Sequence, residues 1–146
     1  MASAGFLPDV DKAIEYAPSS ESDVLLRAYI LRAGIYNETK RPEKALPDLE
    51  KACELAPDSF SAIYQKANTE YTLGKYEEAK TDFMRLQRIN NRAPESYIGL
   101  ARIAVKQNNL GIANEMLAQA VVRIAVLKKL GHSAVVLAVV AQSKYE

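Results

Sequence analysis

Residues 26–59 read LRAYILRAGIYNETKRPEKALPDLEKACELAPDS, and this stretch decides the fold. Its first half places Tyr29 and Ala33 on one face of a helix, and its second half does the same with Ala45 and Leu49. A polar segment with several charged residues separates the two halves. We therefore predict two short amphipathic helices joined by a turn.

The same unit recurs along the chain at an interval of 34 residues. Small residues at such an interval let paired helices approach closely, which is typical of a helix-turn-helix repeat array. The repeated alanines are Ala33, Ala67 and Ala101, and then Ala45, Ala79 and Ala113. Three further sets are apolar: Tyr29, Ile63 and Tyr97; Leu49, Phe83 and Leu117; Ala52, Leu86 and Ala120. One set is mixed: Tyr36, Glu70 and Ala104.

At these positions the chain resembles the tetratricopeptide repeat family. That family's pattern of small, aromatic, alanine, bulky, alanine and proline residues is met here by Ala33, Tyr36, Ala45, Leu49, Ala52 and Pro57. The resemblance implies an all-α fold, an α-α superhelical solenoid of helix-turn-helix repeats. We assign residues 1–146 to a single domain of this kind. Its parts are a half-repeat helix at 6–18, repeats at 26–59, 60–93 and 94–130, and a C-terminal capping or half-repeat helix at 134–144.

Local signals refine these bounds. We expect Asp23 to cap a helix that ends near Glu38, and Pro47 to fall in or just beyond the first turn of the next helix. The second helix of the third repeat continues past the normal repeat end, to about residue 130, where Gly131 stops it. Residues 134–142, AVVLAVVAQ, could form a strand or a helix, and their spacing favours a helix.

Charge and composition restrict the class of partner. The chain has 19 Lys and Arg residues against 18 Asp and Glu residues, which argues against nucleic-acid binding by phosphate neutralisation. Residues 1–60 carry a net charge of −4 and residues 61–146 carry +5. Such an asymmetry could steer partners or copies of the chain, and chance variation on solvated helix faces explains it equally well.

Catalysis and membrane insertion are not expected. The chain holds one His and one Cys, far apart in sequence, and no phosphate-binding glycine loop or cluster with metal-ligand spacing. We therefore expect a non-enzymatic protein with no cofactor and no metal site. The N-terminal residues do not form a secretory signal, and no apolar run reaches the length of a membrane span, so we expect a cytoplasmic protein without direct membrane insertion.

The family resemblance implies that a protein or peptide partner binds the concave surface formed by the first helices of successive repeats. The positions that carry over are Arg27, Ile30, Asn37, Tyr64, Asn68, Tyr71, Ile98, Arg102, Val105 and Lys106. Tyrosines would supply amphipathic contact area, asparagines would pair with a peptide backbone, and cations would meet a carboxylate. The alternative is that these are ordinary solvated residues on a scaffold.

Some members of the family hold the C-terminal carboxylate of heat-shock chaperones with a set of Lys, Asn and Arg side chains. That set is not present, since the matching positions hold Ile30, Gly34, Gln65, Glu95 and Gly99. We therefore interpret the chain as an adaptor that presents its groove to a peptide or helix of another kind of partner.

The two ends of the chain support a second hypothesis. The chain starts with a lone second helix and ends with a lone first helix, so each end would expose a surface that a neighbouring helix normally covers. Either the chain is part of a longer repeat array, or head-to-tail packing would join copies into a homo-oligomer. The residues expected at this contact are Phe6, Val10, Ile14, Val136, Leu137 and Val140.

Overall fold

The computed structural model describes residues 2–129, in which seven α-helices follow a short N-terminal 3₁₀ helix, Ala2–Phe6. The helices are α1 (Leu7–Tyr16), α2 (Ser22–Glu38), α3 (Pro42–Leu55), α4 (Phe60–Thr72), α5 (Tyr76–Ile89), α6 (Glu95–Lys106) and α7 (Leu110–Lys129). No strand occurs in this range. The expected all-α class is confirmed. The expected helix at 134–144 lies outside the described residues.

The chain divides into two compact units, Met1–Lys75 and Tyr76–Glu146, and each is described by itself. In the N-terminal unit α2 packs against both α1 and α3, and α3 packs against α4. In the C-terminal unit α6 packs against both α5 and α7. The division falls within the second 34-residue repeat, after the turn that follows α4.

The turn between the two helices of each repeat has the same backbone geometry. A residue with positive φ occupies it each time: Lys40 at 61°, Gly74 at 77° and Asn108 at 57°. The next amide then donates to the carbonyl five residues earlier, from Arg41 to Tyr36 at 2.7 Å, Lys75 to Glu70 at 2.8 Å and Asn109 to Ala104 at 2.8 Å. This is the hydrogen bond of a Schellman cap. Because a lysine adopts the left-handed conformation here, the packing of the repeat imposes the turn even without glycine.

One helix start differs from expectation and one agrees with it. Helix α2 begins at Ser22 with Glu21 in the N-cap position, so the prediction that Asp23 is the cap was wrong. Asp23 lies in the first turn, where its charge interacts favourably with the positive end of the helix. Helix α3 begins at Pro42 and Pro47 is its sixth residue, just beyond the first turn, where the proline removes one backbone hydrogen bond.

The core of the N-terminal unit is built from small residues. Ala33, Ala45 and Leu49 are fully buried and the ring of Tyr36 packs on them, which brings α2 close to α3. A second cluster joins α1 to α2 through Val10, Ala28 and Ile35, with Leu7 and Ile14 partly buried beside it. The repeated alanines therefore occupy the helix contacts that their spacing predicts.

An ion triad ties three helices of this unit together. Arg32 on α2 donates from Nε and Nη2 to the two carboxylate oxygens of Asp48 on α3, both at 2.7 Å. Its Nη1 donates to Oδ1 of Asp11 on α1 at 3.0 Å. The hydrogen bond to Asp48 is the main cause that raises the pKa of Arg32 above its ordinary value, against the opposing effect of burial. The guanidinium therefore stays charged at every physiological pH.

In the C-terminal unit an arginine on α7 fixes the loop before α6. Arg123 donates from Nε to the Asn91 carbonyl at 2.6 Å and from Nη2 to the Tyr97 hydroxyl at 2.7 Å. Its guanidinium carbon lies 3.8 Å from the centre of the Tyr97 ring. Hydrogen bonds and a cation–π contact thus act on the same tyrosine.

Helix α7 continues past the normal repeat end, as predicted. Its 20 residues, with a mean hydropathy of 1.5 over the most apolar window, satisfy the length and composition of a membrane span, which differs from the sequence expectation. These criteria alone are weak evidence, because core helices of soluble proteins also meet them. The helix contributes Ala113, Ala120 and Ile124 to the core of its own unit.

Candidate partner-binding groove

Helices α2 and α4 of the N-terminal unit enclose a depression of about 450 Å³. Helix α3 packs against both of them. Six side-chain positions on α2 and two on α4 line the depression: Arg27, Ile30, Leu31, Gly34, Ile35, Glu38, Ser61 and Gln65. The lining is apolar in the middle and charged at its ends.

A second depression of about 450 Å³ lies where α2 ends and is lined by Asn37, Lys40, Pro42, Asn68, Thr69 and Thr72. A hydrogen bond crosses it from α2 to α4, with Asn37 Nδ2 donating to Thr69 Oγ1 at 2.9 Å. The Thr69 hydroxyl in turn donates to the Gln65 carbonyl at 2.8 Å. Asn37 is therefore held in one orientation. We call the two depressions together the α2/α4 groove.

The floor of the groove has a gap at Gly34. A Cβ atom built on this residue would meet no heavy atom within 4 Å. A glycine inside a helix is less favourable than alanine by roughly 0.5–1 kcal/mol. No packing contact requires the glycine, so its effect is to leave space in the groove.

Charged groups mark the two ends of the first depression. Arg27 and Glu38 are both exposed and form no ion pair with any residue between 2 and 129. They are eleven residues apart on one helix, which corresponds to a separation of about 16 Å along the helix axis. An extended segment of about five residues would span that distance.

The structure brings together only part of the residue set predicted for the groove. Arg27 and Ile30 line the first depression, and Asn37 and Asn68 line the second. Tyr64 and Tyr71 line neither. The ring of Tyr64 stacks on Phe60 instead, with centroids 6.3 Å apart.

Leu31 and Gln65 are among the groove residues that sequence reasoning did not assign. Leu31 lies four residues after Arg27, which was assigned to the groove, so helical spacing could have identified it. Gln65 lies four residues after Ser61, another residue of the lining. Leu31 is 54% exposed, so much of its side chain is accessible in the groove.

The other predicted groove residues belong to the C-terminal unit. Ile98 is only 4% exposed and packs with Tyr97 and Ala120, so the prediction that it contacts a partner was wrong. It is a core residue because the small Ala120 on α7 leaves room for it. Arg102 and Val105 are half-buried, and Lys106 is exposed.

The residues predicted for self-association also have different environments. Phe6 is 60% exposed at the edge of an apolar cavity of about 510 Å³ between α1 and α2. Val10 is 6% exposed and Ile14 packs against the same cluster, so the burial of Val10 in the core of the chain corrects its assignment as a contact residue. Val136, Leu137 and Val140 lie outside the described residues.

Comparison with known families agrees with this architecture. Residues 26–59 and 60–92 each match the model of the tetratricopeptide repeat. These two stretches are tetratricopeptide repeats. They contain α2 to α5 and include every residue that lines the α2/α4 groove. Tetratricopeptide repeats generally mediate protein–protein interactions. A comparison with curated proteins found no match.

Solved structures with tetratricopeptide repeats share the fold. MamA superimposes with a TM-score of 0.71 at 15% identity, over 98% of this chain and 87% of that one. YrrB is described as a TPR protein with an unusual peptide-binding site. It superimposes with a TM-score of 0.74 at 19% sequence identity, over 84% of this chain and 60% of the YrrB chain. The third structure is SycD, the type III secretion translocator chaperone of Yersinia enterocolitica, in an alternative dimer. It superimposes with a TM-score of 0.70 at 18% sequence identity, over 88% of this chain and 97% of the SycD chain. At these identities the likeness concerns the fold alone.

Proposed function

We propose that this protein is a non-enzymatic adaptor whose α2/α4 groove binds a short segment of a partner protein. The observation that carries the proposal is the open space above Gly34, in the middle of a helix and between two polar ends. A glycine at such a position lets the backbone of a bound segment approach the helix closely. A larger side chain would occupy that space itself.

The polar groups of the groove suit a peptide backbone. The side-chain amides of Gln65 and Asn68 have no hydrogen-bond partner among residues 2–129 and lie along the same face of α4. An amide offers both a donor and an acceptor, which is what one peptide unit requires. Contact with Ile30 and Leu31 would bury apolar surface of the partner and so stabilise the complex, without requiring one particular partner sequence.

The end charges suggest an orientation for the bound segment. An acidic residue near Arg27 and a basic residue near Glu38 would each meet an opposite charge. YrrB has the same fold and is described as having a peptide-binding site, which supports a peptide ligand for this chain.

The test is to fill the gap above Gly34. Peptides selected from a random library against the unaltered protein should bind Gly34→Leu at least about tenfold more weakly, because the leucine side chain occupies the groove. Gly34→Ala is the matched control, since its single methyl group leaves most of the volume open. Isothermal calorimetry on the selected peptides measures the change.

Two results would contradict the groove. One is a selection that enriches no peptide. The other is a set of peptides that bind Gly34→Leu as tightly as the unaltered protein, which would locate their site elsewhere.

Self-association is a second candidate function, favoured by the apolar cavity between α1 and α2. Phe6 is 60% and Leu31 54% exposed at its edge, so both side chains are accessible for packing against an apolar surface of another molecule. SycD, which has the same fold, is described in an alternative dimer. We propose that a second copy covers this cavity.

Light scattering over a concentration series tests the assembly. The mass should rise above that of one chain, and Phe6→Glu should return it to a monomer because a buried carboxylate is unfavourable. Tyr16→Glu is the control, since Tyr16 is 73% exposed and does not line the cavity. A mass that stays monomeric at every concentration would exclude this candidate.

A further inference from the structure

The C-terminal unit contains a pocket of about 290 Å³ among α5, α6 and α7, which shares no residue with the α2/α4 groove. Its lining is mostly apolar, with Met84, Leu100, Ile103, Ala104, Ile112 and Met116, and four polar side chains complete it, Lys80, Gln87, Gln107 and Asn109. Met84 and Ile112 are each 47% exposed, whereas Met116 is half-buried. One flexible thioether side chain is thus exposed and a second lies deeper in the wall, and both can adapt to a ligand and make favourable contacts with an aromatic ring.

The repeat register relates part of this pocket to the surroundings of Tyr36 in the first repeat. Ala104 follows Tyr36 by two intervals of 34 residues. The Tyr36 ring fills the space beside its own repeat, 5.1 Å from the Arg41 guanidinium and 5.9 Å from the Lys44 ammonium group. Two intervals later the equivalents of Arg41 and Lys44 are Asn109 and Ile112, and both line the pocket together with Ala104.

The pocket thus lies beside the position that corresponds to the Tyr36 ring, where an alanine leaves more space than a tyrosine would. The match is partial. Arg41 and Lys44 have counterparts in the lining, whereas the counterparts of the other Tyr36 neighbours, Ala101, Ala113 and Leu117, do not line the pocket.

The volume restricts what can enter. A dry engineered cavity of about 150 Å³ admits benzene, whereas sites for drug-sized molecules have volumes of about 300–1,000 Å³. The pocket falls between these limits, so a single substituted ring matches it better than a large cofactor. A single aromatic side chain buried in such a pocket is the usual anchor of a protein interface.

One charge restricts the ligand further. Lys80 is the only charged residue in the lining and forms no ion pair with another residue of 2–129. Glu77, one turn before Lys80 on α5, does not line the pocket, and its Oε1 accepts a hydrogen bond from Gln107 Nε2 at 2.8 Å. Lys80 is therefore the charge that an acidic group on a bound ligand would meet in the lining.

We propose that this pocket receives the aromatic side chain, tyrosine or phenylalanine, of an acidic segment of a partner protein. The site is independent of the α2/α4 groove and gives the adaptor a second point of attachment. A partner that engages both would gain avidity if its linker can span them.

Methionine methyl NMR tests the site directly. With ¹³C-methyl methionine, p-cresol should shift the signals of Met84 and Met116 in a saturable manner, with a Kd of the order of 1 mM for so small a probe. The peptide acetyl-Glu-Glu-Tyr-Glu-Glu-amide should bind more tightly than p-cresol. The same peptide with alanine in place of tyrosine should cause no saturable shift.

Variants separate the pocket from other surfaces. Ala104→Phe should abolish both shifts, because its ring would extend into the pocket that Ala104 lines, while circular dichroism shows the helices intact. Lys80→Glu, a change at an exposed position, should weaken the binding of the peptide by about 2- to 5-fold and leave the binding of p-cresol unaffected. Gly34→Leu, which blocks only the groove, should leave every one of these results unchanged.

Three outcomes would overturn the proposal. The first is no saturable shift with either probe. The second is a folded Ala104→Phe variant that binds p-cresol as tightly as the unaltered protein does. The third is binding of p-cresol without any preference for the tyrosine peptide over the alanine peptide, which would assign the pocket to a small aromatic molecule.

Discussion

Replacing Gly99 with alanine is expected to lower the free energy of unfolding by about 2 kcal/mol, although alanine is the better helix former. Gly99 lies in α6, and a Cβ atom there would overlap three carbons of the Phe83 ring on α5. Phe83 is 1% exposed, so its ring has no free space into which it can move. The two helices would have to separate, which loses contacts on both sides. Urea denaturation followed by circular dichroism measures the change.

Gly34→Ala is the matched control for this prediction. Gly34 is also inside a helix, but its Cβ would enter open space, so alanine should raise the stability by about 0.5–1 kcal/mol. The two substitutions are chemically identical and should have opposite signs. A Gly99→Ala variant as stable as the unaltered protein would show that α5 and α6 are not packed through this contact.

Removing the carboxylate of Asp48 is expected to destabilise the protein by about 3 kcal/mol, because it leaves the Arg32 guanidinium in a largely enclosed site without its main partner. The Asp48 side chain is 7% exposed and accepts two hydrogen bonds from Arg32, while the Arg32 side chain is 21% exposed. Water therefore has little access to the Arg32 guanidinium and compensates for little of the two lost hydrogen bonds. The midpoint of thermal unfolding of Asp48→Ala would report the loss.

Asp11→Ala is the comparison for Asp48→Ala. Asp11 accepts a single bond from the same guanidinium, but its side chain is 48% exposed, so its loss should lower the stability by at most about 1 kcal/mol. Replacing Arg32 and Asp48 together by leucine should recover much of the loss, since paired removal leaves no buried charge. Equal effects of Asp11→Ala and Asp48→Ala would refute a special role for the buried pair.

The pH dependence of the triad follows from the direction of the pKa shift. The pKa of Arg32 is raised above its unfolded value, chiefly by the hydrogen bond with Asp48. A group of this kind contributes its full stabilisation below the unfolded pKa and loses it as the pH rises through the folded pKa. The contribution of Arg32 is therefore complete at neutral pH and is lost only in strong alkali.

Helix positions and the repeat interval could be predicted because they depend on residues close together in sequence. The end of α2 at Glu38 and the extension of α7 beyond the normal repeat both agree with expectation. The cap predicted at Asp23 was wrong by two residues, since Glu21 occupies the N-cap position and Asp23 lies in the first turn of the helix.

The candidate sites could be predicted only in part. Ile98 was assigned to the groove from its repeat position, but Ala120 on another helix buries it. Leu31 was not assigned, yet it stands exposed beside two cavities. Exposure depends on the size of residues that are distant in sequence, and a repeat pattern read along one chain does not contain that information.

The repeat family, the helical class and the turn positions follow from the order of the amino acids alone, because alanine spacing and turn chemistry act locally and recur every 34 residues. Helix packing, in contrast, places Gly34 against open space, Gly99 against a ring, and a pocket beside Ala104. A small residue on a helix creates either close packing or a void. Which of these occurs is set by the side chain that the neighbouring helix places opposite it.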